Sequence, residues 1–488
     1  MEARPLNVFS FNDLHGALCP TSPRTSLPCP ERGLIARLAQ ARSKEPNSCL
    51  FGLGDDHAGS VFDAAMSEAS LPDPAWTLMH ACGVDAFVPG NHDFDWGVER
   101  FVAKLKTTDA TPLAIVSNQV EDGPLAEVCA KAALLCFGSA GQALRPAAAV
   151  FGLVTKEQNR AQRVMSETVS LHDWIAVLPA NCPIIILSHL GLAADRELAL
   201  GLQLKFPNRT SYCLILGAHS HDNIAEPSLS GSGISYAQAG QKGAFYGLSR
   251  WDKNEWQTAI YSEDKLPEQL SPTTELQQWQ TKWSDWLTQI NDQRRLRIPN
   301  TADEAQRYRG ACPHMQCLVD RLKVFAKTVY LTDRPILAGL CARTLGKLPK
   351  TTELDRRGLY DYLPYPDIVA VMKLPLACLP ELLRLNAQRL RHPPGYRSDL
   401  GYLHFDASLR HETKIANAAV ELSTWHWEAE LPAAEEAFYF ATTEYCAGGA
   451  GGFAAFFEAL GLTTQMSERI HPKEIPFREW LFETYARG

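Results

Sequence analysis

The 488-residue chain has no CxxC pair among its 13 cysteines, which removes zinc-knuckle and thioredoxin-type readings. It has no apolar run near the ~18–20 residues that a membrane-spanning helix needs. It lacks a surplus of cations: 47 Lys and Arg stand against 55 Asp and Glu, a formal net charge of −8. Neither nucleic acid nor a membrane is therefore expected as a partner. Gly and Pro, at 32 and 31 residues, are too few and too scattered for a fibrous or low-complexity chain. The N-terminus shows no basic stretch, apolar stretch and cleavage site in series, so no export signal is visible. Together with dispersed cysteines of odd number, this predicts free thiols in the cytoplasm, or in the periplasm if a leader has been removed. Nothing in the composition speaks to oligomeric state.

What is present is an ordinary globular balance, 45% hydrophobic and 21% charged, long enough for two to four domains at roughly 100–200 residues each. Residues 1–265 alternate short apolar runs with helix-like stretches, the pattern of a layered α/β domain. The runs are Asn7–Phe11, Cys49–Leu53, Asp85–Val88, Thr111–Val116, Val150–Val154, Pro183–Leu187 and Tyr212–Leu216. Nearly all are followed at once by Asp, Asn or His, and the carboxyl ends of strands are where open α/β sheets place their sites. Residues 266–320 read as a helical linker, in which Trp279, Trp283, Trp286 and Ile290 fall on one helical face. We read that face as packing rather than as a ligand cage. Residues 321–488 form the second domain, smaller and also α/β. Between 320 and 400 it holds 14 Lys and Arg against 8 Asp and Glu. This is a basic island that either attracts an anion or is merely a solvated face.

Five short signals carry chemistry. They are Asp13-Leu-His15-Gly, Gly-Asp55, Gly-Asn91-His92-Asp93, His189 in Ile-Leu-Ser-His-Leu-Gly, and Gly-Ala-His219-Ser-His221. Each is weak alone; each at a predicted strand end, they point to a metal site. Imidazole and carboxylate suit Zn, Mn, Fe or Co, and the set contains no cysteine of the kind structural zinc sites use. Seven ligands are too many for one tetrahedral ion and suit two ions sharing a carboxylate. Two ions ~3.5–4 Å apart can stabilise the attacking and leaving oxygens of an in-line displacement at phosphorus and activate water near pH 7.

The order DxH, GD, GNHD, SH, GxHSH resembles that of the calcineurin-like metallophosphoesterases. Its wording is similar to the 5′-nucleotidase/UDP-sugar hydrolase family. Pro112-Leu-Ala-Ile-Val-Ser-Asn118 and Ala237-Gln-Ala-Gly-Gln-Lys-Gly243 resemble that family's strands as well. The resemblance implies a layered metallophosphatase β-sandwich flanked by helices, followed by a divergent C-terminal domain. It implies one ion on Asp13, His15 and His221, another on Asn91, His189 and His219, and Asp55 between them. It implies that His92 stabilises the transferring phosphoryl group and that Asp95 orients His92. His57, close to a motif, is read as supporting the ligands from behind or as exposed.

For the second domain the resemblance implies two aromatic rings that stack a base, each worth on the order of 1–3 kcal/mol. The matching residues are Tyr365, in Leu-Pro-Tyr, and Tyr445, before a glycine-rich turn. The family's Asn-Gly-Gly-Gly-Ile-Arg phosphate motif is not found. Arg343, Arg334 or the Arg356-Arg357 pair stands in for it, with Arg343 the candidate. Gly451 occupies the place of a customary Asp. The expected activity is hydrolysis of nucleoside 5′-monophosphates. The alternatives are another ester (a 2′,3′-cyclic nucleotide, a UDP-sugar or a thiosulfonate-type compound) or a nucleotide-binding pseudo-enzyme. The complete ligand set argues against the last.

Overall fold

The computed structural model describes residues 5–488 except 22–26, 69, 107–111, 121–122, 138–144, 156–166, 269–271, 291–292, 300–311, 331–334, 347, 350, 390–401, 417–418, 429–436, 449–451 and 461–474. The chain forms two compact units, Met1–Gln289 and Ile290–Gly488.

The first unit holds two six-stranded sheets. In chain order its strands are β1 (Leu6–Phe11), β2 (Ser48–Gly52), β3 (Ala86–Phe87), β4 (Leu113–Ala114), β5 (Ala133–Phe137), β6 (Arg145–Val154), β7 (Ile184–His189), β8 (Cys213–Gly217), β9 (Asn223–Glu226), β10 (Ser235–Ala239), β11 (Phe245–Asp252) and β12 (Glu255–Ser262). One sheet runs β12-β11-β1-β2-β3-β4 and the other β5-β6-β7-β8-β10-β9. Within the first, β1 to β4 are parallel; within the second, β6, β7, β8 and β10 are parallel. The sheets are tied on both sides: Ser117 N donates to Gly152 O, and the Ser235 hydroxyl reaches Trp256 O. Strands such as Ile184-Ile-Ile-Leu-Ser-His189 are buried throughout. Covered on both faces, they read as unbroken apolar runs rather than as alternation. Outside the second sheet lie the helices Glu167–Val177 and Leu192–Lys205. Leu171, Ile175, Leu198 and Leu202 join Phe151, Ile184, Ile186 and Tyr236 in one core.

The tryptophan face is a packing stripe of helix Thr274–Ile290. Trp279 donates to Pro74 O, Trp286 donates to the Glu68 carboxylate, and Phe62 touches Trp279 and Trp283. This helix therefore belongs to the first unit, while helix Pro313–Tyr330 lies in the core of the second.

The second unit is built on a four-stranded sheet in the order Val369–Pro375, Ala437–Thr443, Ile336–Cys341, Leu403–Phe405. Successive residues of Ile336–Cys341 point to opposite faces. Ile336, Ala338 and Leu340 join a core with helices Pro313–Tyr330 and Phe477–Tyr485. Leu337 and Cys341 join another with helix Leu379–Ala387. A two-stranded hairpin, Leu409–Ala416 with Ala419–Trp427, completes the unit. Three of the 14 cations in the basic island between 320 and 400 are held in ion pairs. Lys323 pairs with Asp406, Arg356 with Glu479 and Glu483, and Arg384 with Glu381. All 13 cysteines are free thiols. Among the described residues no helix is long and apolar enough to cross a membrane.

Candidate functional site

Because β1, β2 and β3 run parallel in one sheet and β7 and β8 in the other, their carboxyl ends deliver short loops to one place. Two donor groups form there. Asp13, His15 and His221 offer ligand atoms mutually within 4.8 Å, and so do Asp55, His189 and His219. In the first group His15 Nε2 lies 2.9 Å from His221 Nε2, and Asp13 Oδ1 lies 3.5 Å from His221 Nε2. Spacings near 3 Å are those of atoms that share one ion at ~2.0–2.2 Å. In the second group His189 Nε2 is 3.2 Å from Asp55 Oδ2, and Asn91 Oδ1 is 2.8 Å from His219 Nδ1. His189 Nε2 is also 4.0 Å from Asp13 Oδ1, so the two groups adjoin. All seven residues expected as ligands thus meet. His189 Nδ1 lies 2.5 Å from Leu53 O; donation there leaves Nε2 as the free ligand atom.

The backbone carries the strain of this convergence. Asp13, His15, Asp55, His219 and His221 all have positive φ, between 44° and 73°. L-residues visit this region rarely, with Asp, Asn and His the most tolerant apart from Gly. Backbone amides hold the result in place: His219 N donates to Asp13, and His92 N donates to Asp55 Oδ1 at 2.8 Å.

Glycine is required where the two GD- and GNH-type loops cross. A Cβ on Gly90 would fall 2.1 Å from Asp55 Oδ1 and 2.4 Å from His189 Cε1. Both neighbours are buried. Gly90→Ala should therefore leave a folded chain that has lost metal-dependent turnover. Circular dichroism and manganese titration check this, and wild-type metal affinity in Gly90→Ala would overturn it.

Electrostatics suit ligation. Burial drives the His15 imidazole down to about 3 and keeps it neutral. Burial opposes ionisation of Asp55, but the imidazoles of His189 and His92 outweigh it and hold the carboxyl well below the usual range. His92, half-buried, places Nδ1 2.8 Å from Asp95 Oδ2. Burial favours its neutral form, yet the carboxylates of Asp95 and Asp55 prevail and raise it to about 9.

Behind His189 lies a network that the motifs did not disclose. Asp195 is fully buried and is met by the Ser188 and Tyr236 hydroxyls. Tyr236 OH also lies 2.8 Å from Gln238 Oε1. Burial outweighs the Ser188 and Tyr236 hydroxyls, which donate to the carboxylate and favour its ionised form, and raises Asp195 to about 7. Its folded value exceeds the unfolded one of about 3.9. Stability is then greatest below that unfolded value, declines as pH rises through about 7, and stays lower above it. Asp195→Asn, with its amide toward Tyr236, should raise the metal-free chain's melting temperature at pH 8 and leave it unchanged at pH 4. A shift independent of pH would refute this.

In the second unit, strand register brings the three candidate substrate residues to one end of the sheet. Val369 pairs with Thr443, and Ile336–Ala338 pairs in parallel with Tyr439–Ala441. Tyr365 precedes the first of these strands. Tyr445 and Arg343 follow the other two. Both tyrosines are half-buried and Arg343 is exposed. Burial raises the Tyr445 hydroxyl to about 12, against the nearby charge of Arg343. Arg478, fully buried, stacks 3.9 Å above Tyr360 and donates to Leu363 O and Pro364 O, fixing the turn before Tyr365. Arg356 is committed to Glu479 and Glu483. Arg334 and Gly451 lie outside the described residues. His57 is fully buried, so its reading as an exposed residue is corrected.

No family model matches the chain. A stretch of 134 residues is 34% identical to a 5′-nucleotidase of Bos taurus, covering 25% of this chain and 22% of that one. Over 129 residues it is 33% identical to a 5′-nucleotidase of Homo sapiens, covering 25% and 21%. The chain thus aligns with about a fifth of the length of these curated relatives. In fold the likeness is continuous. A 5′-nucleotidase precursor from Thermus thermophilus superposes with a TM-score of 0.63 at 17% identity, over 99% of this chain and 97% of that one. A putative 5′-nucleotidase from Staphylococcus aureus, solved in complex with alpha-ketoglutarate, gives 0.66 at 16% identity, over 98% and 96%. The chain thus shares a local stretch of sequence with curated 5′-nucleotidases and, from end to end, the fold of solved ones.

Proposed function

We propose that this protein is a two-metal phosphohydrolase that converts nucleoside 5′-monophosphates to nucleoside and phosphate. The observation that carries the reading is the meeting of the two donor groups, one with Asp13, His15 and His221, the other with Asp55, His189 and His219. Two divalent ions held there, of Zn, Mn, Fe or Co, would supply hydroxide near neutral pH and neutralise phosphoryl oxygens. Asp55, a member of the second group, would offset the repulsion of two cations held there. Asn91 adds a neutral oxygen beside His219. His92 would offer its Nε2 proton to the charge that develops on the phosphoryl group, with Asp95 meeting the ring through Nδ1. Tyr365 and Tyr445 stack the base, and Arg343 contributes positive charge beside Tyr445. Free thiols suit a reducing compartment.

Turnover of nucleoside monophosphates, p-nitrophenyl phosphate, a 2′,3′-cyclic nucleotide, UDP-glucose and a thiosulfonate, each with Mn, Zn, Co and Mg, tests the proposal. A marked preference for a 5′-monophosphate supports it. Preference for another ester sinks the substrate assignment, and that second reading is favoured by the engagement of Arg356 with two carboxylates rather than with an anion site. Tight nucleotide binding without hydrolysis of any ester sinks the enzyme reading.

A further inference from the structure

We propose that His57 is a positioning residue of the metal centre, acting through Asp93 on the loops that carry Asp55, Asn91 and His92. The inference rests on the two-metal reading above. His57 and Asp73 are fully buried, and Asp93 nearly so. His57 Nδ1 lies 3.2 Å from Asp73 Oδ2 and 3.2 Å from Asp93 Oδ1. Its Nε2 faces Asp63 Oδ1 at 4.0 Å. Asp73 Oδ2, Asp93 Oδ1 and both ring nitrogens of His57 make no hydrogen bond to any other group among the described residues, so the imidazole and the two carboxylates face one another as an ion-paired cluster.

The other oxygen of each carboxylate is engaged in backbone. Asp93 Oδ2 accepts from Asp55 N at 3.1 Å and from Gly90 N at 2.6 Å. One side chain thus joins the loop of the bridging carboxylate to the loop of Asn91 and His92. Asp73 Oδ1 accepts from Ala75 N and Trp76 N and caps helix Pro74–Ala81. The imidazole therefore links the N-cap of this helix to the carboxylate that joins the two ligand loops. A buried carboxylate with one oxygen unanswered would rotate or shift toward a partner. Partners that orient ligands from behind change metal affinity roughly 10–100-fold when removed.

Manganese titration by calorimetry on the full chain tests the proposal, with turnover measured in parallel. His57→Asn places an amide nitrogen where Nδ1 stood, while His57→Gln places it nearer Nε2. Asp73→Asn keeps the helix cap and removes only the acceptor facing His57. We expect His57→Asn to bind manganese within about threefold of wild type. His57→Gln and Asp73→Asn should weaken binding roughly 10–100-fold with near-native circular dichroism. Equal manganese affinity in all four proteins, or His57→Gln tighter than His57→Asn, overturns the proposal. If His57→Gln fails to fold, Asp73→Asn alone decides, because it leaves His57 in place. Wild type that binds no manganese would instead overturn the metal-centre reading, so the two failures are told apart.

Discussion

Replacing Asp55 with alanine should reduce phosphate-ester hydrolysis to background and weaken manganese binding by at least about a thousandfold. The size follows from its position. Its Oδ2 is 3.2 Å from His189 Nε2, its Oδ1 accepts from His92 N, and it is buried. A unit negative charge ~4 Å from a cation contributes about 4 kcal/mol at an effective dielectric of ~20, and about 1.4 kcal/mol is a factor of ten. Two cations held beside the carboxylate would each lose about this, and only Asp13 would remain to offset their mutual repulsion. Calorimetric titration should show one weak manganese site or none. An Asp55→Ala protein that binds two ions with native affinity would remove Asp55 from the centre.

His92→Ala should behave oppositely toward metal. The ring contributes no ligand atom to either donor group, so two ions should still bind. kcat should nevertheless fall by ~10²–10³, the usual cost of losing one donor to a transition-state oxygen. Asp95→Asn should cost less, because the amide can still meet Nδ1 but no longer favours the charged ring. The comparison needs kcat and KM together: loss in kcat with KM little changed places the interaction in the transition state. Loss of metal from His92→Ala, or native kcat, would refute the assignment.

The ligand loops were legible because each signal is local. A strand ends, and the next residues carry the donor. The apolar run Pro183–Leu187 predicts a strand, and Ile184–His189 is observed, so His189 sits on the strand rather than after it. The tryptophan periodicity likewise foretells a helical packing face, because periodicity is a property of contiguous residues. What was not legible depends on distance in sequence. His57 becomes a link only when Asp73 and Asp93 are folded against it. Asp195 is raised only once the fold buries it, in a network closed by Tyr236, 41 residues away. In the second unit Arg356 looks as available as Arg343 in sequence, because Glu479 and Glu483 lie more than 120 residues downstream. Arg478 holds the turn before Tyr365 from 115 residues away.

The five left-handed donors have an evolutionary corollary. Each such residue costs of order 1–3 kcal/mol against an unstrained backbone, and at each glycine would be the conformationally cheaper occupant. A lineage selected for heat resistance alone would drift toward glycine at Asp13, His15, Asp55, His219 and His221 and discard its ions on the way. Acids and imidazoles at those angles are what holding ions, rather than backbone economy, would ask of these positions.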